Sequence, residues 1–107
     1  MTPEGAVVRA CLDFLEIKQI VAWRNNTTGV YDPATKRMRK NSGRNGVADI
    51  LGCLPGGRFL AIECKAGRGK LSADQVEFQR DIIRQGGLHI VAYRVEDVIE
   101  VLKEEGI

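Results

Sequence analysis

The stretch that most constrains this chain is Phe59-Leu60-Ala61-Ile62-Glu63-Cys64-Lys65, with Asp49 fourteen positions before Glu63. Four apolar residues run directly into an acid, a small residue and a base, as in a core strand that reaches solvent at one end. Side chains on a strand alternate faces, so Glu63 and Lys65 emerge on the same one. Charges at the end of a buried strand are costly unless they pair or bind an ion. Taken alone, the pair reads more simply as a Glu–Lys ion pair where a core strand reaches solvent.

The preceding segment bears on that choice. Val47 to Leu54 has the character of a strand, and Pro55-Gly56-Gly57 supplies a tight turn into the next one. If those three residues form the loop, Leu54 pairs with Arg58 and Asp49 falls directly opposite Glu63. Directly opposed residues share a face with Cβ atoms roughly 4.5–5.5 Å apart. Two carboxylates so placed repel unless a cation lies between them. A slip of one residue would send Asp49 to the other face.

Along the rest of the chain, Thr2-Pro3-Glu4 is a helix start, with Thr2 as N-cap, proline at the first helical position and an acid in the first turn. Val8, Cys11, Leu12 and Leu15 follow at helical spacing, which predicts a helix to about Lys18. Glu4 lies one turn before Val8 on the stripe that should face the core. Ile20 to Arg24 reads as a strand. Val30-Tyr31 and Arg37-Met38-Arg39 can pair as a hairpin around Asp32-Pro33-Ala34-Thr35, and residues 41–46 form a flexible connection. Gly67-Arg68-Gly69-Lys70 is a mobile, basic link. Ser72 then caps a second helix, with Gln75 completing a capping box and Leu71 and Val76 placed as a hydrophobic staple. Phe78, Ile82 and Ile83 form its apolar face, and Gly86-Gly87 ends it. Leu88 to Tyr93 is a last strand, and Glu96 to Glu105 a closing helix with Val98, Ile99 and Leu102 inward. Helix, β-meander, helix, strand, helix predicts an α/β sandwich around a mixed sheet.

The 107 residues suit one domain spanning 1–107, and neither the 44% apolar nor the 28% charged content is unusual for a globular protein. No apolar run reaches membrane-spanning length and the N-terminus lacks a signal-like segment, so a cytoplasmic protein without membrane association is expected. Cys11, Cys53 and Cys64 are odd in number and lack Cys-x-x-Cys spacing, which suggests buried free thiols. Net charge is only +2, but Lys36, Arg37, Arg39, Lys40 and Arg44 put five positive charges into nine residues with no acid. The cluster is either a solvated hairpin or a phosphate-contacting patch.

Several chemistries are excluded. With His89 as the one histidine, set between Leu88 and Ile90 in a strand, His-pair nucleases, multi-His zinc sites and Ser–His–Asp catalysis have no basis. No glycine-rich phosphate loop follows a strand. What remains is oxygen-rich: Asp49 and Glu63 on adjacent strands, Lys65 beside them, and Glu4 from a helix start. Carboxylate oxygens suit Mg²⁺, which keeps waters that substrate phosphates can replace. Such a set fits phosphodiester hydrolysis.

Asp49 followed by Glu63-Cys64-Lys65 resembles the D…(D/E)-x-K core of the PD-(D/E)xK nuclease superfamily. That motif is short. Glu4, Trp23-Arg24-Asn25-Asn26 with Gly29, Gly46-Val47-Ala48-Asp49-Ile50, and Leu71-Ser72-Ala73-Asp74-Gln75 with Phe78 and Gly86-Gly87 extend the likeness to nearly the whole chain. In that order they resemble the VRR-NUC family of virus-type replication and repair nucleases, in its stand-alone phage and bacterial form. Ala48 stands where the superfamily has proline, a position without a chemical role.

The resemblance implies a restriction-endonuclease-like three-layer core, a mixed sheet flanked by helices. It implies Mg²⁺ or Mn²⁺ held by Asp49, Glu63, the backbone carbonyl of Cys64 and Glu4, the last directly or through water. Lys65 would assist the attacking water, and Gln75 would orient Lys65 or the substrate, unless its capping role is all it does. Lys36, Arg37, Arg39, Lys40, Arg44, Arg68 and Lys70 would contact DNA. The implied activity is structure-selective DNA endonuclease, resolving four-way junctions as a homodimer in a bacterial or phage-infected cell. A flap or restriction-like nuclease of the same fold is the rival enzyme, and a small DNA-binding module with a bare ion-pair network the non-enzyme alternative. The closing helix and the Trp23 strand edge are equal candidates for a dimer interface.

Overall fold

The computed structural model describes residues 1–25, 30–39 and 43–107, with the short strands at 30–32 and 37–39 described by backbone alone. Helix α1 spans Pro3–Ile17, and Thr2 caps it by accepting the Gly5 N–H at 2.9 Å. Val8, Cys11 and Leu15 are its buried residues, the i, i+3, i+7 stripe that the sequence carries. Gln19, in the left-handed region at φ 59°, turns the chain toward the buried Ile20.

Strand β1 (Val21–Arg24) follows, then a separate two-stranded hairpin of β2 (Val30–Asp32) and β3 (Arg37–Arg39). The hairpin loop is residues 33–36, one position later than the expected turn, because Asp32 pairs with Arg37. Lys36 takes the left-handed position at φ 56° that closes it.

The main sheet is ordered β1-β4-β5-β6, with β4 at Ile50–Cys53, β5 at Phe59–Cys64 and β6 at Leu88–Ala92. The first two pairings are antiparallel. The β5–β6 pairing is parallel because helix α2 (Ala73–Arg84) carries the chain across one face between them. Helix α3 (Val95–Glu104) closes the chain on the other. The turn after β4 has the expected register: the Leu54 N–H donates to the Arg58 carbonyl at 2.8 Å, and Ile50 pairs with Ile62.

Two unequal cores result. Between the sheet and helices α1 and α3 lies the larger, where Ile50, Leu60, Ile62, Cys64 and Ile90 meet Val8, Cys11, Leu15, Val98 and Leu102. Beneath α2 there is a small cluster of Ala48, Ala61 and Phe78. Three expected burials do not occur. Ile83 is 56% exposed and Ile99 40%, since each lies at the margin of its helix's apolar stripe, and Cys53 is exposed near the end of β4 while Cys11 and Cys64 are buried. Contact with Cys11 and burial hold the Cys64 thiol above its ordinary range. Among the described residues no helix is long and apolar enough to cross a membrane.

Candidate active site

Glu63 is the one buried charged residue among those described, at 3% exposure. It sits at the α2-facing end of β5, between Ile62 and Cys64, which face the large core. Its Oε1 accepts a hydrogen bond from Gln75 Nε2 at 2.7 Å, and Lys65 Nζ lies 3.8 Å from the same oxygen. Its Oε2 is buried with no hydrogen-bond partner. A carboxylate oxygen left in that state costs free energy comparable to a lost hydrogen bond or more.

Burial and then the Asp49 charge push the Glu63 carboxyl up to about 8, against a smaller opposing effect of Lys65. The Lys65 ammonium alone therefore does not hold this side chain ionised at neutral pH. An ion pair alone would place this carboxyl in the opposite direction.

Asp49 lies one residue beyond the β4 ladder, in the position that the register sets opposite Glu63. The expected strand from Val47 is shorter, starting at Ile50, because the ladder opens here. Continuing the register would put Ala48 against Cys64. Instead the Cys64 N–H donates to Asp49 Oδ2 at 2.8 Å, and the Ala48 carbonyl accepts from Asn25 Nδ2 at 3.3 Å. The N–H and C=O of a strand residue point to the same side, so the Cys64 carbonyl is directed toward the Asp49 edge while its thiol stays in the core.

Glu4 completes the group from an unexpected direction. It is exposed rather than on the buried stripe, and α1 packs on the sheet face opposite α2. From the first turn of α1, Glu4 reaches round the open end of the sheet. Oxygens of Glu4, Asp49 and Glu63 all lie within 4.8 Å of one another. Three carboxylates so close together, one of them buried with an unpartnered Oε2 and an ammonium 3.8 Å from its Oε1, make an oxygen-donor set that fits a hard divalent cation.

Gln75 caps the helix as expected and also touches the acidic group, through Glu63. Its Oε1 accepts the Ser72 N–H at 2.8 Å in a complete capping box, and its Nε2 reaches Glu63, not Lys65. Gly46 makes this fit achievable: at φ 79°, a Cβ there would stand 2.4 Å from the Asp74 backbone and 2.8 Å from the Gln75 nitrogen.

The basic residues divide. Lys36, Arg68 and Lys70 are exposed. Arg44 is already engaged, 2.6 Å from Asp81 Oδ2 and stacked 5.2 Å above the Phe78 ring. Lys40, Asn26 and Gly29 lie outside the described residues, as do the side chains of Arg37 and Arg39. The link at 67–70 is no loose tether: the Gly69 N–H bonds to Ala66, and the Tyr93 hydroxyl donates to the Gly69 carbonyl at 2.7 Å. His89 sits edge-on to Phe78 with its Nδ1 buried, and burial lowers its pKa, which fits its expected structural place.

Sequence reasoning missed Asn25 as a contributor, Tyr93 as the anchor of the basic turn, and the Arg44–Asp81 pair. Asn25 had a signal, since it stands within the family-like Trp23-Arg24-Asn25-Asn26 segment. The other two are contacts between residues 24 and 37 positions apart, which no local pattern announces.

A mixed four-stranded sheet between helical layers, with acids at its open end, is a restriction-endonuclease-like α/β fold. Among solved structures the chain is similar to one described as a VRR_NUC domain, with a TM-score of 0.70 at 18% identity, covering 96% of this chain and 97% of that one. No protein-family model and no curated protein matches the chain.

Proposed function

We propose that residues 1–107 form a single nuclease domain of the VRR-NUC kind, a metal-dependent DNA endonuclease that hydrolyses phosphodiester bonds. The observation that carries this reading is the approach of Glu4, Asp49 and Glu63 oxygens to within 4.8 Å of one another around a buried Glu63 whose Oε2 has no hydrogen-bond partner. Asp49, Glu63, the Cys64 carbonyl and Glu4 would hold Mg²⁺ or Mn²⁺. Such an ion supplies an acidified water and offsets negative charge at the scissile phosphate. Lys65 holds a donor at the same edge, where its ammonium orients the attacking water or meets a phosphate oxygen. Gln75 occupies Glu63 Oε1, which would leave Oε2 for the cation.

The preferred substrate is branched DNA, a four-way junction above all, cut by a homodimer in the cytoplasm of a bacterial or phage-infected cell. Junction resolution needs two symmetric nicks, and this chain offers one cluster of three carboxylates among its described residues. Strand β1 is an edge of the sheet with Val21 66% and Trp23 50% exposed, which supports that edge as the meeting surface. Exposed Lys36, Arg68 and Lys70, with Arg37, Arg39 and Lys40 of the basic cluster, would follow the phosphates and make affinity salt-sensitive without base readout.

Side-by-side cleavage of an immobile four-way junction, a flap and a linear duplex, with mass measured by light scattering, tests these points. Paired nicks in the junction by a dimer are expected. Faster cutting of the flap or the linear duplex would instead favour the flap or restriction-like reading. Tight DNA binding with no cleavage under Mg²⁺ or Mn²⁺ would leave only a DNA-binding module.

A further inference from the structure

The open end of the β4–β5 ladder is held open by two side chains, Asp49 on one side and Asn25 on the other. In an unbroken antiparallel ladder Ala48 and Cys64 would face each other and exchange backbone hydrogen bonds. Here each has a different partner. The Cys64 N–H goes to Asp49 Oδ2, and the Ala48 carbonyl goes to the side-chain amide of Asn25 on the neighbouring edge. The Asn25 backbone N–H also bonds to the Asp49 carbonyl at 2.7 Å, which continues the β1–β4 pairing past Arg24 and Ile50. Two successive peptide carbonyls, at 48 and 49, are thus drawn toward one half-buried asparagine.

This matters because Ala48 is fully buried and its carbonyl must be satisfied somewhere. The competing partner is the Cys64 N–H, which now serves the Asp49 carboxylate. If Ala48 turned back to Cys64, Asp49 Oδ2 would lose that hydrogen bond. Its carboxylate would then leave the position in which it approaches Glu63 and Glu4.

We infer that Asn25 is a positioning residue for Asp49: its amide occupies the Ala48 carbonyl, keeps the ladder from closing over Cys64, and so leaves Asp49 free to face Glu63. The inference rests on the metal-site reading above and concerns the supports of that site. Residues that orient a ligand in this way commonly cost about 10–100-fold in metal affinity or activity when removed.

The test is Mn²⁺ binding by calorimetry at pH 8, with melting temperature recorded without metal, for wild type, Asn25→Ala and Asn25→Asp. Neither variant retains the N–H donor for Ala48. Both should bind Mn²⁺ about 10-fold more weakly, with metal-free melting temperature held, because closing the ladder gives the Cys64 N–H and the Ala48 carbonyl each other in place of their side-chain partners. The fall in Asn25→Asp should occur although the change adds negative charge, which by itself would strengthen cation binding. The variants should bind junction DNA without metal as wild type does. Unchanged Mn²⁺ affinity, a gain in Asn25→Asp, or a lowered melting temperature with affinity kept would overturn the inference. Wild type that binds Mn²⁺ yet cleaves no DNA ends the nuclease reading and leaves the role of Asn25 standing. Wild type that binds no Mn²⁺ overturns both.

Discussion

The two faces of strand β5 differ as sharply as any two parts of this molecule. Leu60, Ile62 and Cys64 look into a closed apolar core in which each is 0% exposed. Ala61, Glu63 and Lys65 look toward α2, where a three-residue cluster gives way within one strand length to a buried acid with an unpartnered oxygen. One face is arranged for stability. The other carries an electrostatic conflict that nothing in the apolar core requires. The comparison teaches that burial at this site is a cost borne by the fold, offset by the packing one residue away.

That contrast can be broken in graded ways. Asp49→Ala or Lys65→Ala should leave the core untouched and lower metal-dependent DNA cleavage by roughly a thousandfold or more, measured as nicking of a labelled junction. On the opposite face, Ile62→Ala should cost about 3–4 kcal/mol in denaturant unfolding, since a fully buried side chain leaves a cavity under both α1 and α3. Gly46→Ala should cost about 2 kcal/mol by the same measurement, as backbone of α2 stands where the new Cβ must go. It should also weaken metal binding, because Gln75 moves with that helix start.

Glu63→Gln should have the opposite sign from Ile62→Ala, although the two residues are adjacent. The folded chain keeps the Glu63 proton up to about pH 8, while an unfolded chain releases it near the ordinary value of 4.5. The native state therefore binds more protons across that window, and metal-free stability falls as pH rises through it. Replacing the carboxyl with an amide removes this loss and the repulsion with Asp49. At pH 8 without metal the variant should melt about 5 °C above wild type in a thermal scan, and it should melt much closer to wild type near pH 4.5. A lower melting temperature at both values would show that Glu63 is an ordinary stabilising ion-pair member.

Much of this was legible from local patterns. Pro55-Gly56-Gly57 set the pairing of Leu54 with Arg58, and strand alternation then placed Asp49 and Glu63 on one side. Ser72 and Gln75 marked the start of α2 by their spacing. The basic turn at 67–70, read as mobile, proved tied by Tyr93, and Arg44 proved tied to Asp81 and Phe78. Those are tertiary contacts that bring distant residues together after the sheet forms, so charge counting along the chain cannot see them. Ile83 and Ile99 illustrate the same limit on packing: helical periodicity defines a stripe, but where its margin meets solvent depends on how the helix is seated. Asn25 was visible only as a member of the family-like Trp23-Arg24-Asn25-Asn26 segment, because its partner carbonyls belong to a strand whose ladder looked unbroken in the sequence.

The central claim is that Glu4, Asp49, Glu63 and Lys65 form one metal-dependent hydrolytic site. Its most direct measurement is nicking of an immobile four-way junction against Mg²⁺ concentration, for wild type and Asp49→Ala in parallel. Wild type should nick the junction saturably and in a chelator-sensitive way, and Asp49→Ala should show no nicking above background. Equal nicking by the two proteins, or wild-type cleavage that persists in chelator, would contradict it.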